Sequence, residues 1–283
     1  SLVVASSANV TFTDDPTGAE LAAINPKTSG TITLNDTTQA FTGTATELAA
    51  AFDGFGANAL SGAITISAGT INTTQLKTIS DATSGAITLP STNFTLSGTS
   101  SDLADALSGN FTNYAGNVTL TDAAPSAANL AIINNKTSGT ITLNANDATF
   151  SGTAADLSAA FAGGLVGTQT GAVTITDSAT ATIAATTLSS IGEQTDGTVT
   201  VSNAITISGT TAELTAALVT TGSLVVAGTA KLTFTDDPTG AQLAAINPKT
   251  SGTITLNDTA QAFTGTATQL AAAFDGFGTN ALT

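Results

Sequence analysis

The residues with the most chemical capacity in this chain are acids, and they recur at one kind of place. Asp14 and Asp15, Asp122, Asp177, and Asp236 and Asp237 each close a short run in which apolar residues alternate with threonine. Calcium is a hard cation that takes about six to eight oxygens, so carboxylates gathered at a corner are what such a site needs. Aspartate also caps helices and fills turns, and the second member of the series has Ala68 at this place. The acids are therefore read as caps and turn residues. No metal and no other cofactor is expected, and these six positions are where calcium would sit if it bound.

Three other groups have a pattern. Thr11 and Thr13, Thr119 and Thr121, Thr174 and Thr176, and Thr233 and Thr235 form Thr-x-Thr pairs. Regular threonine arrays on a flat face can bind ice, and β-branched threonine also suits the solvent side of any strand. Ser67 interrupts the series, which favours the second reading. Lys27, Lys136 and Lys249 lie in "NPKTSG" and "NNKTSG". A lysine buried beside asparagine and an acid could close an isopeptide bond; one at a helix C-terminus is simply a good partner for the dipole. Asn9, Asn35, Asn72, Asn93, Asn110, Asn117, Asn135 and Asn257 head Asn-x-Ser/Thr triplets, formal glycosylation acceptors that a threonine-rich chain produces by chance. Without His or Cys there is no ordinary base or thiol nucleophile. Glu193 breaks the pattern of acids and reads as a loop residue. No catalytic residue is assigned, and the chain is not expected to be an enzyme.

The elements that carry these residues repeat. The pentads "VTFTD" (from Val10), "ITISA" (Ile64), "VTLTD" (Val118), "VTITD" (Val173) and "LTFTD" (Leu232) alternate with the period of a half-buried strand. A short helix follows, marked by Leu21 and Ile24, Leu76 and Ile79, Leu130 and Ile133, Leu188 and Ile191, and Leu243 and Ile246. A glycine then ends the turn: Gly30, Gly85, Gly139, Gly197 and Gly252, each expected in the left-handed conformation common after a helix. A second strand carries Ile32 and Leu34, Ile87 and Leu89, Ile141 and Leu143, or Val199 and Val201. An extended piece ending in Gly-Thr leads to a second helix. Its threonine has a partner three places on, as in a capping box: Thr44 and Glu47, Thr99 and Asp102, Thr153 and Asp156, Thr210 and Glu213, Thr266 and Gln269.

The pentads step by 54, 54, 55 and 59 residues, a total of 222. Shifted by 222, residues 1–61 match 223–283 at all but a handful of places. Periods of this kind mark arrays. The expected organisation is one continuous array: 1–9 as the end of a preceding repeat, then repeats at 10–63, 64–117, 118–172, 173–231 and 232–283. A single unit gains by lending its apolar faces to its neighbours, and no Gly-, Ser- or Pro-rich linker separates units. The expected fold is an α/β repeat, a solenoid of short parallel strands alternating with short capped helices. The two ends are near copies of each other, so the chain reads as a window from a longer polypeptide or a subunit whose ends another copy covers.

Composition excludes several partners. Twenty acids face five basic residues, all of them lysine, for a net charge of −15. Nothing here suits a phosphate backbone or an anionic bilayer, and no apolar run reaches the roughly 18 residues that span a membrane. Nucleic acid and membrane insertion are therefore not expected.

The unit "VTLTD…AANLAIINNKTSGTITL…FSGTAADLSAAF" resembles tandem repeats of very large secreted or cell-surface proteins of bacteria, notably marine cyanobacteria. The likeness runs over essentially the whole chain. It implies a structural role in an extracellular fibre, filament or surface layer that associates with itself, end to end or laterally. The alternative is a stalk or binding module of a large adhesin, with surface glycans as partners. Carbohydrate sites favour Trp and Tyr; this chain has no Trp and one Tyr, Tyr114, which favours the structural role. The Gly-Gly-x-Gly-x-Asp calcium signature of some such proteins is missing.

Overall fold

The computed structural model describes residues 7–67, 70–90, 94–111 and 114–277. They belong to two compact units. The first comprises Ser1–Asp122, Ile132–Asn144 and Gly164–Val166; the second comprises Ala123–Ala131, Ala145–Gly163 and Gly167–Thr283.

In the first unit the elements run β1 Val10–Thr11, α1 Gly18–Ile24, β2 Ile32–Thr33, β3 Phe41–Gly43, α2 Ala45–Phe52, β4 Ile64–Ile66, α3 Thr73–Ala82, β5 Ile87–Thr88, β6 Leu96–Gly98, α4 Ser100–Leu107 and β7 Val118–Leu120. Helix α5, Ala127–Lys136, has its first residues in the second unit and its last in the first, which then adds β8 Ile141–Thr142. The strands form three separate parallel sheets, β1-β2, β3-β4-β5 and β6-β7-β8.

The second unit continues with β9 Phe150–Gly152, α6 Ala154–Phe161, β10 Val173–Ile175, β11 Thr182–Ala184, α7 Ala185–Gly192, β12 Val199–Val201, β13 Thr206–Gly209, α8 Thr211–Leu218, β14 Val225–Val226, β15 Lys231–Phe234, α9 Gly240–Ile246, β16 Ile254–Thr255 and α10 Ala267–Ala273. Its two parallel sheets run β9-β10-β12-β14 and β11-β13-β15-β16. The chain is thus α/β, with parallel strands alternating with helices, as the pattern predicts.

Each strand pairs with one about a single turn of chain away: Val10 meets Ile32, 22 residues on, and Val173 meets Val199, 26 residues on. The register puts like on like. Phe41, Ile64 and Ile87 form one inward column, and Thr42, Thr65 and Thr88 form the neighbouring outward one. Period-two alternation buries the first column and leaves the second at the surface; Ile64 and Ile87 are fully buried, while Thr42, Thr65 and Thr88 are exposed. The helices turn their Leu, Ile and Phe residues to the same cores, with Leu21, Leu48, Leu76, Leu103, Leu157 and Leu214 all inaccessible. A T-shaped aromatic pair ties strand to helix in alternate repeats: Phe41–Phe52 at 5.2 Å and Phe150–Phe161 at 5.1 Å between ring centroids.

All ten predicted helices form. Two strand expectations need correction. The extended pieces before Gly-Thr are strands in their own right in four repeats, as β3, β6, β9 and β13, and β11 and β14 have no counterpart in the predicted pattern. A two- or three-residue strand with glycine at its end has too few positions to show a period. The glycines after the first helices are also not left-handed. The described positive-φ glycines are Gly54, Gly167 and Gly276; Gly30, Gly85, Gly139, Gly197 and Gly252 serve another need, described below.

Candidate functional site

The most regular constellation is Thr-x-Gly: Thr28 with Gly30, Thr83 with Gly85, Thr137 with Gly139, Thr195 with Gly197, and Thr250 with Gly252. Each glycine amide donates to the threonine hydroxyl two residues back, at 2.9 to 3.0 Å. Each hydroxyl then donates to a backbone carbonyl of the previous turn of chain: Ala8, Gly62, Gly116, Gly171 and Ala230 respectively. A hydroxyl is both donor and acceptor, so one side chain satisfies two backbone groups beside the strand ladder. Thr83, Thr137 and Thr195 are buried.

The glycine belongs to the same device. A Cβ on Gly85 would stand 2.1 Å from the Gly62 carbonyl oxygen; on Gly139, 2.3 Å from that of Gly116; on Gly197, 2.1 Å from that of Gly171. No side chain fits at such distances, so the residue is fixed by close backbone approach and not by backbone angle. In "NPKTSG" and "NNKTSG" the residue with a structural task is the threonine beside the lysine. The signal was there in five occurrences of threonine two places before glycine.

Three of the six corner acids, Asp122, Asp177 and Asp236, cap helices, but not at their own corner. Asp122 Oδ2 accepts from the Ser100 amide at 3.1 Å and its hydroxyl at 2.6 Å. Asp177 Oδ2 accepts from the Ala154 amide at 2.7 Å. Asp236 Oδ1 accepts from the Thr211 amide at 2.6 Å and hydroxyl at 2.7 Å. Each donor is the first residue of α4, α6 or α8, on the preceding turn of chain. The N-caps Thr99, Thr153 and Thr210 accept from the third helical amide, so each of these helix starts has two oxygens for its orphan amides. Asp15 and Asp237 accept from Asn35 and Asn257, at 3.5 and 3.2 Å, and Asp14 is exposed. The six calcium candidates are thereby dispersed; no three His, Cys, Asp or Glu residues come together among the described residues.

Asparagine performs the opposite task at helix ends. Asn25 Nδ2 donates to the carbonyls of Ala50, Ala51 and Asp53, at 3.1, 3.1 and 2.7 Å, and Asn247 donates to Ala272 and Asp275 at 3.0 and 2.8 Å. Of the formal glycosylation acceptors, Asn9 and Asn117 hold the Thr31 and Thr140 amides of the next strand at 2.9 and 3.0 Å. Asn72 caps α3, Asn110 and Asn135 are exposed, and Asn93 lies outside the described residues. Lys136 donates to the Gly109 carbonyl at 3.3 Å, and Lys27 and Lys249 close 3-10 turns. The ion pairs among the described residues are those of Lys77 with Asp81, at 2.9 Å, and Asp105, at 3.6 Å; they raise the pKa of Lys77, the Asp81 hydrogen bond contributing most. Glu193 caps the end of α7 at the surface.

The Thr-x-Thr residues line up across strands as rows, Thr119 with Ser97 and Thr142, Thr174 with Ser151 and Thr200, Thr233 with Ser208 and Thr255. Capping-box carboxylates Glu20 and Glu47 are held below the usual range, first by the amides and then by the hydroxyls of Thr17 and Thr44. Tyr114 donates to the Asn117 and Phe94 carbonyls at 2.9 and 3.2 Å, and burial pushes its phenol up to about 12. Two open grooves repeat at the 222-residue spacing, one along Asn25–Ile32 and Asp53–Gly56 and one along Asn247–Ile254 and Asp275–Phe277, of about 370 and 340 Å³. No helix among the described residues is long and apolar enough to cross a membrane. No protein-family model, curated protein or solved structure matches the chain.

What the arrangement does chemically is satisfy backbone groups from one turn of chain to the next. The Thr-x-Gly threonines, Asn25 and Asn247 point at main-chain groups, and Asp122, Asp177 and Asp236 are committed to helix starts.

Proposed function

We propose that this chain is a structural repeat segment of an extracellular bacterial fibre, filament or surface layer that associates with itself. In this reading both units belong to one solenoid, each turn stacked on the last. The observation that carries it is the in-register parallel pairing of strands one turn apart, locked at the side by the Thr-x-Gly relay in all five repeats. Such a ladder presents one design at every level, so length is added without new chemistry. The absence of sulphur from the sequence, and five lysines as its entire basic content, suit bulk export to a place where oxidation and tryptic cleavage are hazards. The resemblance to tandem repeats of giant bacterial surface proteins points the same way.

Electron microscopy of the purified protein tests this reading. Elongated particles with an axial rise of about 4.8 Å per turn, visible as a meridional reflection from aligned material, are expected. Separate beads on flexible tethers would overturn it, and isolated rods that never associate would favour the adhesin stalk over the filament.

A further inference from the structure

The ladder of parallel strands is interrupted at one place inside the first unit, between β2 and the turn of chain that follows it. The equivalent strands go on pairing. Ile87 meets Phe111, Ile141 meets Leu165 and Val199 meets Val225. The Ile87, Ile141 and Val199 amides donate to the Asn110, Gly164 and Leu224 carbonyls at 2.7, 2.6 and 3.0 Å. The three residues so covered are 0% exposed. Among the described residues β2 pairs with β1 alone, and Ile32 is part-exposed. The Val10 and Phe12 amides donate to the Thr31 and Thr33 carbonyls, both at 2.9 Å. Alternate residues of a parallel strand serve opposite edges, so the Ile32 amide and carbonyl face away from β1. They face the open groove of about 370 Å³ along Asn25–Ile32 and Asp53–Gly56.

The following turn of chain is present but turned out. Gly56, Phe111 and Leu165 each stand four residues past the last residue of α2, α4 and α6. Where Phe111 and Leu165 cover a strand, Gly56 offers no side chain, and an added Cβ there would meet nothing within 4 Å. The loop is fixed in another shape. Gly54 and Asn58 have φ of 79° and 55°. The Phe55 amide donates to the Phe52 carbonyl at 3.0 Å and the Asn58 amide to the Asp81 carbonyl at 2.7 Å. The Phe55 ring stands edge-on to Phe52 at 6.0 Å between centroids, and Asn25 holds the start of the loop through the Asp53 carbonyl. What is left is a backbone donor and acceptor beside an apolar floor, a template for one more strand.

We infer that this groove binds a short extended peptide of another protein, which adds to β2 in parallel. The occupant is defined by what fills the same place elsewhere in the molecule: Gly164, Leu165 and Val166 on Ile141, and Asn110 and Phe111 on Ile87. The ligand is thus two or three residues of extended chain with a large apolar residue over Ile32. The carbonyl before that residue accepts from the Ile32 amide. The amide after it donates to the Ile32 carbonyl, as the Val166 amide does to Ile141 at 2.9 Å. Main-chain bonds supply affinity in this mode, and the one apolar side chain supplies selectivity. Asp53 is exposed at the rim, and with a net charge of −15 it favours neutral or basic flanks over acidic ones. The site lies within the first unit and stands whether or not the chain associates with itself.

Amide exchange of Ile32, followed by NMR, reads this groove alone, although the groove along Asn247–Ile254 is lined by copies of the same residues. The probe is the peptide Gly-Gly-Leu-Val-Gly with blocked ends, a copy of residues 163–167. With about 10 mM peptide and a dissociation constant of about 1 mM, the Ile32 amide should exchange about tenfold more slowly. The Ile87 and Ile141 amides, already bonded, should not change. The same peptide with aspartate in place of leucine should have no effect. Phe55→Gly, Gly56→Leu and Ala57→Val together give the loop the Gly-Leu-Val of residues 164–166. That chain should protect Ile32 at least about tenfold with no peptide present and lose its response to the peptide. An Ile32 amide already slow in the unaltered free chain would mean that the loop closes on β2 in solution and leaves no site. No response to the peptide, an equal response to the aspartate peptide, or a response that survives the loop exchange would also overturn the proposal.

Discussion

A threonine and a glycine two residues apart do more here than their size suggests. The Thr137 hydroxyl accepts from the Gly139 amide at 3.0 Å and donates to the Gly116 carbonyl. Thr137→Val keeps the shape and removes both bonds, leaving a buried donor and acceptor unmatched; a loss of about 1–3 kcal/mol is expected from urea denaturation. Gly139→Ala places a methyl 2.3 Å from that carbonyl oxygen and should cost about 3 kcal/mol or more, since backbone on both sides must move. Gly222→Ala is the control: nothing lies within 4 Å of the added Cβ, and a change between neutral and about 1 kcal/mol of stabilisation is expected. If Gly139→Ala matches the control, close approach is not what fixes the glycine. At this scale the sequence was half legible. Recurrence marked the glycine, but local grammar suggested a left-handed cap. The carbonyl that forbids a side chain is more than twenty residues away, and no short-range pattern points at it.

Helices were the most legible elements, because their starts carry capping pairs and their apolar residues recur three and four apart. The oxygen contributed from a neighbouring turn was not legible. Asp236 was readable as a cap, yet the helix it serves is α8, which precedes it, and not α9, which follows. Strand pairing is what carries the carboxylate across: once Leu232 lies opposite Ile207 and Phe234 opposite Gly209, the second residue after the strand, Asp236, falls over Thr211, the second residue after Gly209. Asp236→Ala should therefore lower stability by about 1–2 kcal/mol through the exposed first turn of α8. Hydrogen exchange should show the change at Thr211 before it appears in α9. Protection lost first in α9 would mean that the acid serves its own corner. The short strands were the least legible elements for the reason that makes them numerous: two or three residues suffice when each is a rung in a ladder, and so few cannot display a period.

At the scale of the whole chain two facts pull against each other, parallel strands paired in register within each sheet and a net charge of −15. Stacking brings like residues into register, and therefore like charges toward one another. The sequence limits this by placing few charges at all, by committing Asp122, Asp177 and Asp236 to helix amides, and by leaving the outward rows to threonine and serine. What remains is long-range repulsion among surface carboxylates with five lysines to offset it. At about 0.15 M salt the screening length is roughly 8 Å, and at 0.01 M roughly 30 Å, so low salt couples charges on several successive rungs. Self-repulsion of this kind opposes compaction and association alike. Adding sodium chloride from low to physiological strength should raise the melting temperature and shift the multimer distribution upward, with magnesium chloride at equal ionic strength doing the same to a similar degree. A melting temperature that falls with salt would mean that ion pairs, not hydrogen-bonded rungs, hold the turns together. A response to calcium alone, at concentrations too low to change screening, would mean that some of the acids bind metal and are not confined to capping.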